Sequence, residues 1–94
     1  MNYSVRQCIL LHDDDNTLTA LIDLSKGQEI ELKTVHGVER VVLGDEIPYA
    51  HKFARRNINP GQDIIKYGEV IGIATGFIPA GTHVHVHNVQ GKRA

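Results

Sequence analysis

The sequence predicts a compact, mostly β domain built from short bent strands, with one or two short helices. A seven-residue pattern, here called the turn frame, recurs at 24–30, 58–64 and 78–84. Each copy has an aliphatic residue, two residues, glycine, two more residues and a second aliphatic residue. The glycine supplies the positive φ that a type II turn requires, so each copy is expected to lead into a strand. Recurring turn–strand units at this spacing are typical of small β domains.

Two segments are expected to be helical. Asp15 or Asn16 is a suitable N-cap for an amphipathic helix over 16–25, and Gly27 is a plausible stop. Residues 52–57 are expected to form one or two helical turns. One helix of useful length is too few for a parallel sheet, whose strands need crossover helices.

Short strands make up the rest of the expected fold. The first covers 5–11 and is apolar enough to lie in a core. Residues 29–33 alternate polar and apolar side chains, as a half-exposed strand does. Further strands are predicted at 39–43, 63–66, 70–75 and 83–89. The 94 residues suit a single domain with limits 1–94.

Composition argues against several classes of function. The formal net charge is -1, aromatic residues make up 5%, and basic and acidic residues are mixed along the chain. Such a chain lacks the basic surface and stacking platform of a nucleic-acid-binding protein. Its apolar runs are too short to span a membrane, and its first residues lack signal-peptide character. We therefore expect a cytoplasmic protein.

The segment most suggestive of chemistry is His83-Val84-His85-Val86-His87. In an extended strand, alternate side chains share a face, and neutral imidazole is both a common metal ligand and a common base. Residues two apart are separated by roughly 7 Å at Cα, so two imidazoles can converge on one metal. All three can do so only if the strand bends. The alternative is the ordinary polar face of an antiparallel strand.

A second group of candidates is cationic. His51 and Lys52 precede Arg55 and Arg56, and Lys66 lies at the end of a predicted strand. Arg and Lys are the usual partners of carboxylates, so Lys66 and Arg55 are candidates to bind an anionic substrate. A solvated cationic turn is the alternative.

Several blocks taken in order resemble a known family. They are Asp15-Asn16-Thr17, His51-Lys52-Phe53-Ala54, Ile65-Lys66-Tyr67-Gly68 and Val84-His85-Val86-His87-Asn88. The chain resembles, over about 8–89, the small N-terminal domain of altronate dehydratases, which is shared with galactarate dehydratase and with the small subunit of sulfolactate sulfo-lyase. The resemblance implies a SAF-type β-clip fold.

It also implies the elimination of water or sulfite from a hydroxylated sugar acid or sulfolactate, with a divalent metal, iron or manganese, as cofactor. Elimination next to a carboxylate needs a base for the α-proton and an acid or metal for the leaving group. On this resemblance, His85 and His87 are the metal or catalytic pair, and His83 is a further metal candidate. His51 and Lys52 are catalytic or substrate-facing.

The chain departs from the family pattern in two respects. Ala50 stands where the family commonly has glycine before the His-Lys pair. The altronate and galactarate enzymes also carry a much larger catalytic domain, so we expect a large dehydratase or lyase subunit or domain as partner and a small anionic hydroxy acid as substrate. The alternatives are a non-catalytic module that binds a carbohydrate acid or docks an enzyme, and a stand-alone metal-binding protein. Assembly into a homo-oligomer is left open.

Overall fold

The computed structural model describes residues 6–91. Within this range the chain forms nine short β-strands and no helix, so the prediction of a mostly β fold is confirmed. The strands are β1 (Cys8–Ile9), β2 (Thr17–Ala20), β3 (Glu29–Thr34), β4 (Gly37–Val42), β5 (Lys52–Ala54), β6 (Asp63–Lys66), β7 (Glu69–Ala74), β8 (His83–Val84) and β9 (Val89–Gly91). The start of the predicted first strand at Val5 and both ends of the predicted domain lie outside the described residues.

The strands form three small antiparallel sheets. One has the order β1-β2-β5-β8, one is the β3–β4 hairpin, and one has the order β6-β7-β9. The β5–β8 pairing joins distant parts of the chain, with Phe53 opposite His83 and Lys52 opposite Val84. Residues 6–91 contain no helix of the length and hydropathy needed to cross a membrane.

The three predicted copies of the turn frame are joined in the structure by a fourth at 47–53, in which Ala50 replaces the glycine and Phe53 the second aliphatic residue. In every copy the chain makes a turn closed by a backbone hydrogen bond of 3.0–3.1 Å, from the fifth residue's N–H to the second residue's carbonyl. The central residue has positive φ in each: Gly27 (86°), Ala50 (70°), Gly61 (79°) and Gly81 (86°). The positive φ predicted for the glycines is therefore confirmed, and a fourth turn takes the same form without glycine.

The four copies pair off into two similar halves. Leu24 and Ile47, the first residues of copies 24–30 and 47–53, exchange backbone hydrogen bonds. Ile58 and Ile78, the first residues of the other two copies, do the same. Each half encloses a hairpin, β3–β4 or β6–β7, between its two turn frames. The apolar first and last residues of the frames are buried in both halves, so each half has its own small core.

The helix predicted over 16–25 is wrong, and the cause lies in the side chains proposed as its cap. The Asp15 carboxylate accepts the N–H groups of Tyr67 and Gly68, and the Asn16 carboxamide bonds to the backbone of Asp63 and Ile65. These polar side chains bond to β6 and its turn instead of capping a helix, which leaves the following residues extended as β2.

The helical turns predicted over 52–57 are also wrong, because residues 52–54 form β5 between β2 and β8. Phe53 and Ala54 are fully buried there. A strand paired on both sides satisfies its backbone hydrogen bonds across the sheet and buries apolar residues on both of its faces. Sheet pairing has therefore overridden local helical preference.

Candidate metal site

The histidine segment is not a continuous strand. β8 ends at Val84, residues 85–88 form a turn, and the chain resumes as β9 at Val89. The turn is closed by the Asn88 N–H, which donates to the carbonyl of His85 at 3.0 Å. The prediction of an unbroken strand over 83–89 is therefore wrong. The chain instead makes the bend that convergence of several imidazoles requires.

The bend gathers imidazoles from two parts of the chain. The Nδ1 atom of His51 lies 2.9 Å from the Nε2 atom of His83. The ring centroid of His85 is 5.0 Å from that of His51 and 5.2 Å from that of His83, and the rings of His83 and His85 are nearly parallel, at 8°. The ring of His87 approaches His83 at 5.7 Å and is tilted by 42°.

Sheet register explains why His51 belongs to this cluster. Lys52 opposes Val84 and Phe53 opposes His83, so continuing the β5–β8 ladder by one residue places His51 opposite His85. The turn around Ala50 brings the chain into β5 immediately before this point. Two turn-frame copies, 47–53 and 78–84, therefore carry the segments that meet at the cluster.

The electrostatics of the cluster favour a neutral His83. Burial lowers its pKa, and the neighbouring imidazoles of His51, His85 and His87 lower it further because like charges repel. Asp45 opposes this effect, and its carboxylate accepts the backbone N–H of His83 at 3.0 Å. A neutral imidazole can accept a proton or coordinate a metal ion.

The donor set fits a divalent metal. One nitrogen from each of His51, His83 and His85 lies within 4.8 Å of the others. Two nitrogens bound to one metal at about 2 Å lie about 3 Å apart, which is close to the present separation of the His51 and His83 nitrogens. Three imidazoles would leave further coordination positions open on such an ion.

The sequence predicts His83, His85 and His87 as metal candidates and places His51 among the catalytic residues. The structure brings His51 into the ligand group, whereas His87 contacts the group through the ring of His83. His51 directly follows Ala50, the central residue of the turn frame at 47–53. Recognition of that turn frame in the sequence would have pointed to His51. Asp45 and Asn88, whose roles the sequence does not predict, hydrogen-bond to the backbone of His83.

The two candidate lysines form a separate pair. Lys52 is partly buried on β5, and both burial and the charge of Lys66 lower its pKa. The two segments are linked through β2, since Thr19 pairs with Lys52 and the Thr17 hydroxyl donates to the carbonyl of Ile65 at 2.9 Å. The charge of Lys66 thus acts on Lys52, whose strand pairs with β8.

Arg55 has a different environment from the other candidates. Its guanidinium is buried, donates to both carboxylate oxygens of Glu39 at 2.9 and 2.6 Å, and bonds to the carbonyls of Asp13 and Asp15. These contacts join β4 to the loop before β2. The guanidinium is engaged within the protein, so its evident role is to hold these segments together.

Comparisons with known proteins agree with the fold and the motifs. A family model described as the altronate/galactarate dehydratase SAF domain matches residues 6–92. The chain is 40% identical over 84 residues to the altronate dehydratase of Escherichia coli, a match that covers 89% of this chain and 16% of that protein. It is 37% identical over 76 residues to the galactarate dehydratase of the same organism, covering 81% of this chain and 14% of that protein.

A smaller relative is also similar. The chain is 47% identical over 49 residues to the (2R)-sulfolactate sulfo-lyase subunit alpha of Chromohalobacter salexigens, covering 52% of each chain. The chain thus spans 16% or less of the two dehydratases above, and the sulfo-lyase relative is one subunit of an enzyme. Similar domains therefore occur both within large dehydratases and in a separate small subunit.

Proposed function

The chain belongs to the altronate/galactarate dehydratase SAF domain family, and we propose that it is the small component of a hydroxy-acid dehydratase or lyase. In this proposal it supplies imidazoles to a site completed by a large domain or subunit. The observation that carries the proposal is the convergence of His51, His83 and His85 from separate segments. Their nitrogens lie close enough together to act as one donor set.

We assign His51, His83 and His85 to a divalent metal, iron or manganese by family resemblance. Such an ion would act as a Lewis acid that stabilises the negative charge developing on oxygen during elimination. The neutral state favoured at His83 suits metal coordination, which needs an unprotonated ring nitrogen. The remaining ligands would come from the substrate or from the large partner.

We assign proton transfer to two further residues. His87 lies next to the ring of His83, and the pKa of Lys52 is lowered by burial and by Lys66, which increases its neutral, basic fraction. Either group can take the α-proton of a hydroxy acid or return a proton to the departing group. These two residues are therefore our candidates for the acid–base pair.

The proposed substrate is a small anionic hydroxy acid, with Lys66 as the contact for its carboxylate. The positive charge of Lys66 complements that carboxylate. By analogy with the relatives, the leaving group is water from a sugar acid or sulfite from sulfolactate.

The test uses the assembled enzyme with the large partner present. We expect His51→Gln, His83→Gln and His85→Gln each to abolish dehydration of sugar acids, or sulfite release, while thermal stability and partner affinity stay close to wild type. His36→Gln is the matched control, because His36 lies in the exposed turn of the β3–β4 hairpin. Full activity in all three variants would overturn the proposal and favour a non-catalytic binding or docking module.

A further inference from the structure

The side chain of Asn88 clamps the bend that carries His83 and His85. Its carboxamide nitrogen donates to the carbonyl of His83 at 2.8 Å, and its carboxamide oxygen accepts the N–H of His85 at 3.0 Å. Its own backbone N–H donates to the carbonyl of His85. We propose that Asn88 is a positioning residue, which holds the His85 imidazole against those of His83 and His51 so that the three can bind one metal ion.

Sheet pairing alone does not fix His85. The β5–β8 ladder has two residue pairs, Lys52–Val84 and Phe53–His83, so it includes His83 but ends before His85. His51 is held separately by backbone hydrogen bonds with Pro48 and Ala20. His85 is exposed, and the backbone hydrogen bonds described for it both go to Asn88. The near-parallel stacking of the His83 and His85 rings therefore depends on the clamp.

The clamp complements a contact on the other side of His83. Asp45 accepts the N–H of His83, while Asn88 donates to its carbonyl, so both backbone groups of this residue are held by side chains. Asp45 comes from the segment after β4 and Asn88 from the turn before β9. Loss of Asn88 should release His85 first, because His83 keeps its strand pairing, its contact with Asp45 and its hydrogen bond to His51.

The inference rests on the proposed function, in which these imidazoles bind a metal, but its primary test needs no metal. Proton NMR of the metal-free chain would follow the imidazole resonances, which shift when rings stack. In Asn88→Ala we expect the His85 ring resonances to move to values typical of an exposed histidine, with smaller changes at His51 and His83, whose rings stack against it. Asn88→Asp keeps an oxygen acceptor for the His85 N–H and should restore most of the His85 shift.

Gln28→Ala is the matched control. Its side-chain oxygen accepts the N–H of Ser25, three residues earlier, just as Asn88 does for His85, but in a turn that carries no histidine. It should leave every imidazole resonance unchanged. Unchanged His85 resonances in Asn88→Ala would overturn the inference. So would equal displacement of the His51, His83 and His85 rings, because that result indicates general loss of structure.

Cobalt(II) titration then distinguishes this inference from the proposed function. Loss of a residue that orients a metal ligand typically weakens metal binding 10- to 100-fold, and we expect a change of about that size in Asn88→Ala. Displacement of His85 together with weaker cobalt binding supports both proposals. Displacement of His85 with unchanged cobalt affinity leaves Asn88 as the determinant of ring position and overturns the metal assignment of His85.

Discussion

The Nδ1 atom of His51 lies 2.9 Å from the Nε2 atom of His83, although 32 residues separate them in sequence. At this distance one ring can donate its N–H to the unprotonated nitrogen of the other, whereas protons on both nitrogens would oppose each other. A metal bound there would replace the donated proton. In the proposed metal site, this contact would link proton release to metal uptake at these two rings.

The first prediction concerns metal affinity. Replacing His51 or His83 with alanine removes one of the three candidate ligands, and we expect zinc or cobalt affinity of the isolated chain to fall tenfold or more. Competition with a chromophoric chelator measures the change. His36→Ala, in an exposed turn, should bind as the wild type does. Equal affinities in all four proteins would contradict the assignment.

The second prediction concerns pH and the Arg55–Glu39 ion pair. The hydrogen bond from Arg55 lowers the pKa of Glu39 below its ordinary value of 4.5. The stabilisation is therefore complete above that value and is lost as pH falls through the lower folded-state pKa. Because the Glu39 side chain is 36% exposed, we expect Glu39→Gln to cost about 1 kcal/mol at pH 7.

Urea unfolding of the wild type and Glu39→Gln at several pH values measures this effect. The difference between their unfolding free energies should shrink as pH drops below 4.5. Glu31→Gln is a suitable control, because its ion pair with Arg40 is exposed on both sides and should contribute less. A difference that stays constant down to pH 3 would exclude ionisation of Glu39 as its cause.

The third prediction concerns Asp15, whose carboxylate accepts the N–H groups of Tyr67 and Gly68. These two residues have φ of 62° and 72° and form the turn between β6 and β7. Asp15→Ala leaves both donors without this acceptor, and we expect a loss of about 2–4 kcal/mol. Asp14→Ala should change stability by less than about 0.5 kcal/mol, since that side chain is 78% exposed. Chemical denaturation that finds the two variants equally stable would refute the role.

Local turn chemistry made part of this fold predictable from sequence. Glycine reports a requirement for positive φ directly, so three copies of the turn frame and their strands could be recognised. The turn frame at 47–53 is not recognisable in the sequence, because alanine occupies the position that glycine holds in the other copies. The pairing of those residues with the histidine segment depends on contacts between distant residues, which local patterns do not encode.

The capping residues show the same limit for helices. Asp15 and Asn16 have the right chemistry for a helix start, but their hydrogen-bond partners are the backbone groups of β6 and its turn. These partners are separated from them by 47 to 53 positions in the sequence. Similarly, the alternation of His83, His85 and His87 suggested one strand face. The Asn88 carboxamide hydrogen-bonds to the backbone of His83 and of His85, on either side of Val84, and so bends the chain there. An alternating sequence pattern does not reveal such a contact.

The fourth prediction concerns Ala50, which has φ of 70° in a turn position that holds glycine in the other three copies. The left-handed conformation costs about 1–2 kcal/mol for an ordinary residue, whereas glycine adopts it without steric cost. After allowance for the greater freedom of glycine in the unfolded chain, we expect Ala50→Gly to stabilise the protein by about 0.5–1 kcal/mol. Ala80→Gly, in a turn position without positive φ, should instead destabilise it. Thermal unfolding that shows the same sign for both would contradict this account.

The fifth prediction compares two glycines in equivalent turns. Gly61 and Gly81 have φ of 79° and 86°, so alanine pays a similar conformational cost at each. A Cβ at Gly61 meets no atom within 4 Å, but one at Gly81 would lie 2.1 Å from the carbonyl oxygen of Val42. We expect Gly61→Ala to cost about 1 kcal/mol and Gly81→Ala about 3 kcal/mol or more.

Because the two turns share the same geometry, the difference in stability between Gly61→Ala and Gly81→Ala measures the effect of the close backbone contact at Gly81. Gly81 also accepts the Gly44 N–H at 3.0 Å through its carbonyl, so a shift of this backbone would disturb the segment leading to Asp45. Asp45 in turn accepts the N–H of His83. Gly81→Ala should therefore weaken cobalt binding, whereas Gly61→Ala should not. Equal losses of stability and metal affinity in the two variants would rule out this route from backbone packing to the site.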